Sequence, residues 1–91
     1  MELERGMLVE SRAGHDKGCL YIVVGQEGPY VYVCDGRLKT TAKPKKKKAM
    51  HVAKKAGIPG LLLEKQAEGK AWTDEDIKRV MKIWRSEHVE G

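Results

Sequence analysis

The spacing of hydrophobic positions changes along the chain. Met7 and Val9 lie two apart and predict one face of a short strand. Cys19-Leu20-Tyr21-Ile22-Val23-Val24 is the longest uninterrupted apolar run and is rich in β-formers. Gly14 and Gly18 bracket the polar turn before it, and residues 25–29 supply the turn after it. Tyr30-Val31-Tyr32-Val33-Cys34 predicts another strand, with Val31 and Val33 as the core-facing pair. Asp35-Gly36 behind it is a tight-turn dipeptide. Arg37-Leu38-Lys39-Thr40-Thr41 then reads as a polar strand, and Ala49-Met50-His51-Val52 as the last one. Short strands joined by Gly-rich turns predict a small sandwich or barrel.

Beyond Ala53 the period lengthens. Gly57, Pro59 and Gly60 interrupt the chain, and a helix-like stretch over residues 61–68 closes at Gly69. The clearest helix follows, over residues 74–87. Thr73 is a good N-cap, and Asp74, Glu75 and Asp76 complement the dipole in the first turn. Ile77, Val80, Met81 and Trp84 recur at i, i+3, i+4 and i+7, one apolar stripe that must be covered. The predicted class is mainly β, with a barrel over residues 1–53 and a linker plus C-terminal helical tail over residues 54–91. Trp84 is expected to be buried, and Trp72 to staple the start of the helix.

Charge sharpens this picture. The chain has 91 residues and a net charge of +5. Nine basic and no acidic residues fall between Arg37 and Lys55, so the remainder carries −4. A localised basic segment on an otherwise acidic chain points to one anionic partner. No apolar run approaches the roughly 20 residues needed to span a bilayer. The start, Met1-Glu2-Leu3-Glu4-Arg5, has no apolar signal segment behind it, so a cytoplasmic product is expected. Cys19 and Cys34 lack metal-site spacing and are expected to be small core residues in a reducing compartment. No nucleophile elbow, P-loop or metalloprotease motif is present, so no enzymatic activity, metal or cofactor is expected.

Two segments carry candidate chemistry. In Arg12-Ala13-Gly14-His15-Asp16-Lys17-Gly18, each of Arg12 and Lys17 lies within two residues of a glycine. Exposed backbone N–H groups beside a cation suit a phosphodiester, though the glycines also serve simply to turn the chain. Lys45-Lys46-Lys47-Lys48 sets four like charges in a row and reads as a solvated run suited to polyanion contact. Tyr30 and Tyr32 share a strand face, where they stack on bases or pack under the helix. His51, beside the lysine run, is a structural histidine or a neighbour of the bound polyanion.

Residues 5–53 resemble a KOW domain. The resemblance rests on Gly6-Met7-Leu8-Val9, the loop from Arg12 to Gly18, the strand behind it, Tyr30-Val31-Tyr32-Val33-Cys34-Asp35-Gly36-Arg37-Leu38, the lysine run and Met50-His51-Val52. His15 stands where arginine is more typical of that family. The pattern is similar to small KOW proteins related to a large-subunit ribosomal protein family of archaea and eukaryotes. It implies an SH3-like barrel of about five strands that binds structured RNA, with ribosomal RNA or a ribosomal particle as target. Arg12, His15, Lys17, Arg37, Lys39, Lys43, Lys45, Lys46, Lys47, Lys48 and His51 are the expected RNA-binding residues, on a chain that is monomeric when free. The alternative is a protein-interaction module of the translation or transcription machinery, docking through the C-terminal helix onto ribosomal proteins or similar partners.

Overall fold

The computed structural model describes residues 3–88. Five strands form one antiparallel sheet: β1 (Leu8–Ser11), β2 (Leu20–Glu27), β3 (Tyr30–Cys34), β4 (Lys45–Lys48) and β5 (Val52–Ala56). Their order is β4-β3-β2-β1-β5, so β4 and β5 are the two edges and the sheet is not closed. A 3₁₀ turn, Ala49–His51, joins those edge strands. Two helices follow, α1 (Gly60–Ala67) and α2 (Asp74–Glu87). Among the described residues no helix is long and apolar enough to cross a membrane.

The period-two pattern gives the sheet two apolar faces. Met7, Val9, Tyr21, Val23, Val31, Val33 and Val52 cluster on the inner face with Leu3. Neither helix contributes to that cluster, so the strands curl over their own side chains. Leu8, Ile22 and Cys34 point the other way, to the outer face, where Leu62, Trp72, Ile77, Val80 and Met81 cover them. The tail's apolar stripe is therefore spent on the sheet. Burial of Leu62, Ile77, Val80 and Met81 contributes about 1.5–3 kcal/mol each before ordering entropy is subtracted. Trp84 is only half-buried, with His88 stacked on its ring at 3.5 Å between centroids.

Local chemistry sets the start of each helix-side contact. Thr73 and Asp76 form a reciprocal capping box, with Thr73 Oγ1 accepting from Asp76 N and Asp76 Oδ2 accepting from Thr73 N. The Thr73 N–H bond to that carboxylate, with the Thr73 hydroxyl and Lys65, holds the Asp76 carboxyl below its ordinary range. Trp72 is buried just before the cap, donates Nε1–H to the Leu62 carbonyl at 3.0 Å and carries the Arg5 guanidinium over its ring at 4.0 Å. One indole thus ties α1, the start of α2 and the N-terminal segment together.

Several boundaries differ from the sequence expectation. β2 runs on to Glu27, leaving a turn of only Gly28 and Pro29. Val24 is accommodated at a register shift between Val23 and Gly25. Residues 37–41 are not a strand. Asp35 Oδ1 accepts from both Arg37 N and Lys39 N, so the turn closes on itself. The lysine run takes the strand position instead. Residues 49–51 are the 3₁₀ turn rather than the last strand, and β5 extends past Ala53 to Ala56. Cys34 is buried, and burial with the nearby Asp74 and Asp35 carboxylates pushes its thiol up to about 12. Cys19 is exposed rather than a core residue, because it precedes β2 at the loop end.

Gly36 is where the turn and α2 meet. Its φ is +79°, and a Cβ there would lie 2.6 Å from the Asp74 carbonyl oxygen. Thr41 N donates to Asp74 Oδ1 at 2.8 Å, pinning the same turn to the same helix end. Gly36→Ala adds left-handed strain and a backbone clash, and is expected to cost about 2–4 kcal/mol in urea unfolding. Gly57→Ala, in open space with ordinary φ, should be neutral to slightly stabilising. Equal midpoints for the two variants would remove the turn–helix contact as a determinant of the fold.

Candidate nucleic-acid interface

The β1–β2 loop is built around one carboxylate. Gly14 and Gly18 take φ of +85° and +93°, with Lys17 N donating to the Gly14 carbonyl and Cys19 N to the Asp16 carbonyl. These turns direct Asp16 inward, where its side chain is 12% exposed. Oδ1 accepts from Lys47 Nζ at 2.9 Å and Ser11 Oγ at 2.9 Å. Oδ2 accepts from Tyr21 OH at 2.8 Å and Lys45 Nζ at 3.0 Å. Burial alone would raise this carboxyl, but the bonds from Lys47, Tyr21, Lys45 and Ser11 outweigh it and hold the group well below the usual carboxylate range. Burial, then the hydrogen bond to the Asp16 carboxylate, push the Tyr21 hydroxyl well above its ordinary value.

The lysine run is therefore no solvated loop. It is β4, and strand alternation divides it. The register sets Lys45 opposite Val33 and Lys47 opposite Val31, on the inner face. Lys47 is 8% exposed and also donates to the Ala13 carbonyl at 3.3 Å. Lys46 and Lys48 fall opposite Tyr32 and Tyr30 on the outer face. There Lys46 Nζ sits 4.5 Å above the Tyr30 ring and 3.5 Å from Glu27 Oε1. Tyr32 OH donates to Glu27 at 2.8 Å. Both tyrosines are half-exposed, and neither belongs to the cluster beneath the helices.

The expected site residues separate into groups. Arg12, His15 and Lys17 are exposed on the β1–β2 loop. Arg12 pairs with Glu10 at 3.1 Å, and its N–H donates to the His51 carbonyl, which brings half-buried His51 to the same end. Lys45 and Lys47 are neighbours of that loop, yet both are engaged by Asp16. Lys46 and Lys48 are outward, beside the tyrosines. Arg37, Lys39 and Lys43 lie in the β3–β4 connection, and Arg37 lines a depression against α2 with Glu75, Asp76, Lys78, Arg79, Lys82 and Arg85. Sequence reasoning missed Asp16 as an anchor. The signal was a lone acid among cations inside a glycine-bracketed loop. It also left Arg79 and Arg85 out of the site, because only tertiary packing brings Arg37 to them.

No protein-family model matches the chain, and no curated protein is significantly similar to it.

Asp16→Asn keeps the shape and removes the charge, leaving Lys47 as a cation at a nearly covered position. The expected loss is about 2–4 kcal/mol, short of the roughly 3–5 for breaking a fully buried pair because Lys45 is a third exposed. The Asp16 carboxyl is lowered in the folded state, so its contribution is full above the ordinary value of 3.8 and fades as pH falls through the range below it. Wild type should therefore lose stability below about pH 4 more steeply than the variant. Chemical denaturation across pH reads both, and parallel acid profiles would dismiss Asp16 as the anchor.

Proposed function

We propose that this chain is an RNA-binding protein of the KOW type that recognises structured RNA, with ribosomal RNA or a ribosomal particle as the leading target. The five-stranded sheet curled over one core, with a 3₁₀ turn between its edge strands, supports an SH3-like reading of the fold. The observation that carries the function is the outer face of β3 and β4, where half-exposed Tyr30 and Tyr32 alternate with Lys48 and Lys46. Tyrosine faces stack on unpaired bases while lysines meet phosphates, a combination suited to single-stranded loops in a folded RNA. The exposed Arg12 and Lys17 side chains of the β1–β2 loop add phosphate contacts. Docking through the apolar stripe of α2 has less support, since Ile77, Val80 and Met81 are already covered by the sheet.

The test separates the two halves of the lysine run. Lys46→Gln with Lys48→Gln should weaken binding to a hairpin RNA and lower the salt slope by about 1.4, two phosphate contacts on a single strand. Thermal stability should stay near wild type. Lys45→Gln with Lys47→Gln should instead lower stability, with binding retained in the folded fraction at low temperature. Fluorescence anisotropy across a salt series measures the first effect and calorimetry the second. Undiminished affinity and slope in the outward pair would defeat the reading.

A further inference from the structure

The arginines are unevenly used. Arg5 lies on the Trp72 ring and Arg12 pairs with Glu10. The other three, Arg37, Arg79 and Arg85, converge on the depression between α2 and the β3–β4 turn, together with Lys78 and Lys82. Among the described residues none of those three forms an ion pair. The two carboxylates at the rim are already engaged, one of them by Lys78 of the same depression. Glu75 binds Lys78 at 2.8 Å, and Asp76 caps the helix and binds Lys65 at 3.3 Å. Arg37, Arg79, Lys82 and Arg85 are left as an uncompensated cationic group.

Ordinary helix chemistry does not account for this group. The dipole favours cations in the last turn, which explains Arg85 alone. Arg37 comes from another element and is held in place by the Asp35-closed turn, which is docked on α2 through Gly36 and Thr41. The helix part of the group is ordered by spacing. Arg79, Lys82 and Arg85 follow at i, i+3 and i+6 along the helix, a span of about 9 Å at 1.5 Å per residue. Arginine forks bind phosphate oxygens two at a time, which makes this surface chemically distinct from the lysine and tyrosine face of β3 and β4. Both surfaces lie on the outer side of the sheet, because α2 packs on the face that also carries Tyr30 and Tyr32.

We infer that α2 and the β3–β4 turn form a second phosphodiester-binding surface, with Arg37, Arg79, Lys82 and Arg85 gripping backbone phosphates of the same RNA. The inference rests on the RNA-binding reading above. The full chain is titrated into a hairpin RNA across a salt series. Arg37→Gln, Arg79→Gln and Arg85→Gln together should weaken binding about tenfold or more and lower the salt slope by about 2–3, for three phosphates lost. The melting temperature should be unchanged, since all three side chains are exposed. The matching triple Lys variant should restore the slope and recover only part of the affinity. Wild-type affinity and slope in the Gln triple, alongside a weakened Lys46/Lys48 double, would overturn this surface and leave the RNA reading standing. A wild-type chain that ignores the hairpin at low salt would overturn both. Lost binding to phosphatidylserine vesicles with unchanged RNA affinity would also overturn it, and would assign the surface to a membrane.

Discussion

A single carboxylate ties the lysine edge strand to the rest of the sheet. β4 is four consecutive lysines on an edge strand, and their mutual repulsion opposes the pairing that β3 offers. Asp16 removes half of that problem by accepting from Lys45 and Lys47 while also satisfying Tyr21 and Ser11. The same contacts fasten the β1–β2 loop to the opposite edge of the sheet, a link the strand ladder itself does not provide. The buried Tyr21 hydroxyl needs a partner and finds it there. Removing the acid would orphan several groups at once, which is why one exposed-looking loop residue outweighs most core methylenes in this chain.

Two-sided burial then explains why so small a sheet carries a tail. The inner face closes on its own valines, but Leu8, Ile22 and Cys34 on the outer face have no strand to cover them. α1 and α2 supply that cover, and Trp72 fixes their mutual placement through the Leu62 carbonyl. The helices stop short of Tyr30 and Tyr32. The outer face is therefore divided into a covered half that stabilises and an open half whose aromatic and basic side chains stay available.

What the chain revealed before its structure follows from range. The α2 boundaries, its cap and its stripe were legible because capping and 3.6-residue spacing are local. β1 and β3 were legible from alternation and β2 from its apolar run of β-formers, and Val31 and Val33 face the core as their spacing implies. The strand after the Asp35-Gly36 turn was placed too early. Residues 37–41 follow a tight-turn dipeptide and read as a polar strand, yet Asp35 captures the Arg37 and Lys39 N–H groups locally before a ladder can form. Conversely, four lysines have no apolar alternation to read, and only the approach of Asp16 from a loop 29 residues away turns them into a strand with two faces. The basic residues were visible, but their division among a buried anchor, a tyrosine face and a helix groove was not.

That division changes how charge in this chain should be weighed. A count of nine basic residues between Arg37 and Lys55 suggests one polyanion-binding tract. In the fold, Lys45 and Lys47 are occupied by Asp16, Lys55 by Glu10, and Lys46 shares Glu27 with Tyr32. Four of the tract's nine cations are thus held by carboxylates. Long-range attraction depends on net charge, and it survives such pairing only in part. Short-range grip depends on cations that can exchange a water shell for phosphate without first abandoning a carboxylate. By that criterion the proposed phosphate contacts would fall to the cations without a carboxylate partner among the described residues, Arg37, Arg79 and Arg85 on the helix side and Lys48 on the strand that alternation turns away from Asp16.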